Sequence, residues 1–158
     1  MCDAEVDVRF RPVADILHHF GGTLTETIRW LMDDGRAMLM NCELCNAEKA
    51  LFGDDNAFVR YDNNSLSKGH VLVVPRRHVA DFFEMTWAEK TSIIALLDRA
   101  KAHISQEHSP DGYNVGVNIG KAGGQSRMHV HVHLIPRYVG DVQDPSGGIR
   151  CVLSRRPH

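Results

Sequence analysis

His129-Val130-His131-Val132-His133-Leu134-Ile135 is the stretch on which the reading of this sequence turns. Side chains alternate across a strand, so it puts three imidazoles on one face and Val130, Val132 and Leu134 on the other. The apolar face belongs to a core. The histidine face has no structural reason of its own, because apolar side chains would stabilise a buried face better and three polar rings each need a partner. Two chemistries use such a row. A neutral imidazole, with a reference pKa of about 6.5, attacks phosphorus once its second nitrogen is held by an acceptor. Alternatively, the histidines hold a catalytic zinc that activates water.

Just upstream, Gly120-Lys121-Ala122-Gly123-Gly124-Gln125-Ser126 combines small residues, which let backbone N–H groups approach an anion, with the side-chain donors of Gln125 and Ser126. A glycine-rich turn is weak evidence alone; beside the histidine row it suits a phosphate. Before it, Tyr113, Val115, Val117 and Ile119 share one strand face and Asn114, Gly116 and Asn118 the other. Thr86-Trp87-Ala88-Glu89 is a capping box, and Ile93, Leu96, Leu97, Ala100 and Ile104 carry an amphipathic helix ending near His108. Earlier strands are expected at Phe58–Tyr61 and His70–Val74, the second ended by Pro75, with a turn at Asp62–Ser65 between them. Residues 1–40 read as a helical hairpin without chemistry. Its first stripe is Val13, Ile16, Leu17 and Phe20, Gly21-Gly22 breaks it, and Leu24, Ile28 and Leu31 follow a second capping box at Thr23–Glu26.

Composition sets outer limits. A chain of 158 residues, 43% hydrophobic and 24% charged, fits one globular domain. A net charge of −2 supplies no summed positive field for holding nucleic acid. No apolar run has the length of a membrane span, and Met1-Cys2-Asp3-Ala4-Glu5 is acidic where a secretory signal is basic, so a cytoplasmic protein with no membrane partner is expected. Of the four cysteines, Cys2 and Cys151 are isolated, whereas Cys42-Glu43-Leu44-Cys45 has the spacing of reduced thiols on a metal rather than of a disulfide framework.

The run from about Cys42 to Gly140 resembles the histidine-triad (HIT) superfamily. The defining pattern of alternating histidines and apolar residues is met by His129–Ile135, and two further segments match in order, Gly69-His70-Val71-Leu72-Val73-Val74-Pro75 and Gly123-Gly124-Gln125-Ser126. The resemblance implies an α+β fold: an antiparallel sheet of about five strands with one long helix over 86–108. The domain plan is an N-terminal helical hairpin over 1–40, then a HIT domain with a C-terminal tail over 41–158. It implies that His131 is a nucleophile forming a covalent nucleotidyl-imidazole, that His133 contacts the phosphate or leaving group, and that His70 supports the row. Asn118 and Ser126 would contact the α-phosphate, Gln125 would lie beside the leaving side, and Asp62 would bind ribose hydroxyls. In branches with a Cys-x-x-Cys pair, the resemblance further implies a structural zinc, here on Cys42, Cys45, His78 and His129, and a homodimer whose sheet continues across a two-fold axis. The implied activity is hydrolysis or phosphorolysis of a dinucleoside polyphosphate or AMP-amide. A nucleotide-binding sensor or scaffold with little turnover, and a zinc hydrolase using the triad as ligands, remain as alternatives. The tail from Gly140 to Arg150 departs from the best-known branches and leaves the substrate open.

Overall fold

The computed structural model describes residues 42–152. The hairpin expected over 1–40 lies outside the described residues. Five strands and one long helix follow in chain order: β1 (Phe52–Gly53), β2 (Ala57–Tyr61), β3 (Val71–Pro75), α1 (Trp87–His108), β4 (Gly112–Val117) and β5 (Val132–Arg137). They form one antiparallel sheet in the order β1-β2-β3-β5-β4. This is the expected α+β fold.

Two strands are apolar almost without interruption because both faces of the sheet are covered there. On one face, Val59, Val71, Val73, Val132 and Leu134 pack against Ile93, Leu96, Ala100 and Ile104 of α1. On the other, Phe58, Leu72 and Val74 pack beneath Leu44, which sits in a short turn between the two cysteines. The helix begins as its sequence dictates. The Thr86 hydroxyl accepts from the Glu89 N–H at 3.2 Å, and the Glu89 carboxylate accepts from the Thr86 N–H at 2.8 Å. Arg77 donates to the same carboxylate at 2.8 and 2.9 Å, which holds Glu89 down at about 2 and pins the β3–α1 connection that carries His78.

Gly69 has a purpose at the mouth of β3. Its φ is +80°, and a Cβ there would stand 2.8 Å from His108 Cδ2 and 2.9 Å from Ile104 Cγ2. The chain can turn into the sheet against the last turn of α1, and so place His70, only with no side chain at that point.

The observed boundaries depart from expectation in three places. Pro75 belongs to β3 instead of ending the run before it; β3 pairs with β5 only over Val71–Val73, so the missing N–H costs no bond on that side. The triad strand, expected over His129–Ile135, joins the ladder at Val132 and continues to Arg137. His129–His131 precede the ladder, and the Val130 N–H bonds to Val79 O at 2.7 Å, because the loop after β3, rather than a neighbouring strand, lies alongside. Val115, on the apolar face of its strand, is 45% exposed, since β4 is an edge strand and α1 packs over β2, β3 and β5. Among the described residues no helix is long and apolar enough to cross a membrane.

Candidate active site and metal centre

The register aligns Arg60 on β2, Leu72 on β3, His133 on β5 and Gly116 on β4 in a row across the sheet. Above that row is a cavity of about 250 Å³, lined by His70, His131, His133, Asp62, Asn118 and Ser126. Six of the seven residues expected to build the catalytic and nucleotide-binding site therefore converge. Gln125 does not line it. Its Oε1 accepts from the Gly120 N–H at 2.8 Å, and its Nε2 donates to Ala80 O at 2.8 Å and Arg127 O at 3.0 Å, so the buried amide braces the glycine loop.

The three triad histidines face three different groups, and the partners fix which nitrogen of each is basic. His131 Nδ1 lies 2.9 Å from the carbonyl oxygen of His129. A carbonyl only accepts, so Nδ1 carries the proton and Nε2 keeps the lone pair. His70 Nδ1 accepts the Leu66 N–H at 3.2 Å, so its proton is on Nε2, 3.1 Å from His133 Nδ1. His133 then accepts at Nδ1 and carries its own proton on Nε2. Burial lowers the His70 pKa, opposed by the charge of Asp62. Burial, reinforced by His131 and His70, pushes His133 down to about 4, so both rings are neutral near pH 7. The outcome is an acceptor nitrogen at His131 Nε2 beside a donor at His133 Nε2, the ring centres 4.9 Å apart.

Asp62 completes this side. Its Oδ1 accepts the Asn64 N–H at 2.9 Å, fixing the turn, and its Oδ2 stands 3.5 Å from His70 Nε2 and 3.7 Å from His133 Nδ1. Asp62, His70 and His133 have atoms of the kind that bind metals close together. A metal on His70 Nε2, however, would require a proton on Nδ1, which faces the Leu66 N–H donor. The arrangement suits a hydrogen-bond relay.

His129 is different. Its Nε2 donates to Pro75 O at 2.8 Å, which leaves the Nδ1 lone pair facing Cys42 Sγ and Cys45 Sγ, each at 3.5 Å. Cys45 Sγ is also 3.2 Å from His78 Nδ1, and the four ligand atoms lie within 4.8 Å of one another. Around a tetrahedral zinc, usual bond lengths put a sulfur and a nitrogen ligand about 3.6 Å apart. The four residues therefore fit the ion, and the Pro75 carbonyl on the far nitrogen of His129 orients that ring as a ligating imidazole requires. Burial, with the hydrogen bond and charge of Cys42, pushes the Cys45 thiol up to about 11. Because His129 Nδ1 faces the two cysteines and His131 Nδ1 is tied to a carbonyl, the triad does not converge as one open ligand set.

The opposite end of the cavity was not foreseen. Glu43, Arg60, Asn63 and Arg127 line it. Arg60 is 3% exposed; it donates to Glu43 O at 3.2 Å, to Glu43 Oε1 at 3.1 Å and to Asn63 Oδ1 at 3.4 Å. Its Nε–H has no partner among the described residues, a cost of about 1–3 kcal/mol. The available signal was a charge inside the apolar run Phe58-Val59-Arg60-Tyr61, and a glutamate between two ligand cysteines.

Comparison with known proteins agrees with this geometry. The HIT domain family model matches residues 44–140. An uncharacterized HIT-like protein of Methanocaldococcus jannaschii is 36% identical over 107 residues, covering 66% of this chain and 82% of that protein. An AP-4-A phosphorylase of Mycobacterium tuberculosis is 40% identical over 74 residues, covering 46% of this chain and 38% of the phosphorylase, so much of that enzyme has no counterpart in the match. Among solved structures, a Zn-bound histidine triad family protein from Mycobacterium smegmatis is 27% identical with a TM-score of 0.59, covering 66% of this chain and 81% of that one.

Proposed function

The chain belongs to the HIT domain family, and on that basis we propose that it is a nucleotide hydrolase or transferase acting at an α-phosphate, with a nucleotidyl group carried transiently on His131. Substrates of the dinucleoside polyphosphate or AMP-amide type fit this reading, and the phosphorylase relative supports the first class. The observation that carries it is the His131 Nδ1–H bond to the His129 carbonyl, which leaves Nε2 as the free nucleophile in a ring that lines the cavity.

The reaction follows from the hydrogen-bond pattern. His131 Nε2 forms a bond to the α-phosphorus as the bond from phosphorus to the leaving group breaks, the electron pair departing on the leaving atom. Both ring nitrogens are then substituted and the imidazole is positive, so the His129 carbonyl binds it more strongly than before. His133 Nε2–H donates toward the leaving group, held in that tautomer by His70. Water or inorganic phosphate next bonds to the phosphorus, the N–P bond breaks and the lone pair returns to Nε2, while the proton of an attacking water passes to solvent. Asn118 and Ser126, which line the cavity, hold the phosphate oxygens, and Asp62 takes the ribose hydroxyls. Splitting one displacement in two lets a fixed ring replace a poorly placed water in the first step.

Cys42, Cys45, His78 and His129 would hold a structural zinc, closed by four protein ligands, that braces the chain entering β5. The division into a helical extension over 1–40 and a HIT domain with its tail over 41–158 goes with this reading. So does a homodimer formed through the β4 edge, where Val115 is exposed and Gly116 has nothing within 4 Å of a Cβ position. Light scattering on a sizing column should give twice 17.7 kDa; a single-chain mass refutes the dimer.

A substrate panel tests the activity. Diadenosine tetraphosphate and an adenosine phosphoramidate should each be cleaved at the α-phosphate. If ADP forms only when inorganic phosphate is supplied, the enzyme is a phosphorylase; if AMP forms without it, a hydrolase. Tight AMP binding with every substrate left intact would overturn the enzyme reading in favour of a sensor.

A further inference from the structure

The cavity has two unlike ends, and the end away from the histidines carries a carboxylate ion-paired to a buried arginine. Arg60 and His133 share one face two strands apart, which separates them by about 10 Å. That is the scale of a nucleoside reaching from its 5′-phosphate to the far edge of its base. At that far end the Glu43 carboxylate is held, not loose. Its Oε1 takes both the Arg60 guanidinium at 3.1 Å and the Asn63 amide, and Arg60 also grips the Glu43 backbone carbonyl at 3.2 Å. Oε2 has only the exposed Arg127 guanidinium at 3.9 Å, beyond hydrogen-bond range.

This is an unfavourable construction unless a ligand uses it. Burying a guanidinium is costly, and Arg60 is buried to hold this carboxylate with its Nε–H left unpaired among the described residues. Folding alone would be served better by an apolar residue at position 60, as at Phe58, Val59 and their partners Val73 and Val74.

Resting on the nucleotide reading above, we propose that Glu43, positioned by buried Arg60, selects a guanine base. The physical case is the number of donors a base edge offers. Guanine presents N1–H and the 2-amino group side by side to Glu43 Oε2, and its O6 to Arg127. Adenine offers one donor group flanked by a ring lone pair that faces the carboxylate. Hypoxanthine keeps N1–H and O6 but lacks the 2-amino group. The Asn63 amide, a side chain suited to adenine, is already consumed by Glu43 and Arg60. Arg60 is thus a positioning residue and Glu43 the one that touches the base.

The test compares kcat/KM for diguanosine, diinosine and diadenosine tetraphosphates under one set of conditions, in the full chain and in Glu43→Gln. The guanosine substrate should be preferred over both others by roughly tenfold or more, a loss of one good base contact. Glu43→Gln should bring the three rates to within about threefold, through KM more than kcat. Equal rates in the unaltered chain, a preference for adenosine, or a preference that survives Glu43→Gln each overturn the proposal while leaving the α-phosphate chemistry standing. The inosine comparison needs no variant, so it decides the matter even if Glu43→Gln does not fold. Failure to cleave any of the three refutes the function itself, and this inference with it.

Discussion

Replacing His131 by alanine should lower kcat by about 10⁴-fold or more while the protein stays folded and still binds AMP. The size follows from the proposed role: the ring supplies the atom that bonds to phosphorus, and no other side chain on the cavity has an unshared nitrogen lone pair. His133 has given its Nδ1 to His70 and carries a proton on Nε2, and His70 has given its Nδ1 to Leu66. Folding should survive, because the His131 side chain makes one hydrogen bond, to the carbonyl two residues back. Protein quenched in denaturant during turnover should carry the mass of one nucleotidyl group, and His131→Ala should carry none. His131→Gly with added imidazole should recover part of the rate, since the emptied volume admits the free ring. A variant lacking the ring that turns over at near-normal speed would sink the covalent mechanism.

His133→Ala should be far milder, because a polyphosphate leaves readily as an anion and needs a hydrogen bond rather than a proton. This asymmetry between adjacent histidines of one row comes from their partners. The sequence showed three rings on one face, and strand periodicity was enough for that. What each ring does depends on what lies behind it. For His129 this is the Pro75 carbonyl and two thiols, for His131 a carbonyl of its own segment, and for His133 the ring of His70 on the next strand. Those contacts come from register and loop path, which periodicity does not specify.

The same distinction explains the rest of the comparison between sequence and structure. The helix over 87–108 was legible to its ends because its capping box and apolar stripe are local features, and the Thr86–Glu89 exchange is made as written. The site residues of the phosphate end were legible because their motifs are contiguous. Glu43 and Arg60 were not, being 17 residues apart and joined only when the turn between the cysteines folds back over β2. Gln125 was assigned by its place in a motif, whereas the fold turns its amide toward Gly120, Ala80 and Arg127. Proline was read as a strand terminator, and both Pro75 and Pro136 sit in strands where one side has no ladder to lose.

Removing the metal proposed at Cys42, Cys45, His78 and His129 should have the largest effect on stability. The centre joins three segments far apart in sequence: the start of the described chain, the β3–α1 connection and the entry to β5. Each ligand restrains a segment with little regular structure of its own, so the metal closes long loops that would otherwise cost entropy. Stripping it with a strong chelator, or changing Cys45 to serine, should lower Tm by about 10 °C or more, corresponding to a few kcal/mol in a domain of this size. His129 is fully buried, and with the ion stripped its Nδ1 would face the two cysteine sulfurs instead of a cation. The effect should reach the chemistry too. The carbonyl that holds the His131 tautomer belongs to His129, so a chelated protein that remains folded should lose kcat by about 10–100-fold with little change in KM, and zinc should restore it. Elemental analysis of protein purified without added metal should find one zinc per chain. Protein that carries no metal, melts at the same temperature with and without chelator and keeps full activity would show that the two thiols and two imidazoles are merely packed together.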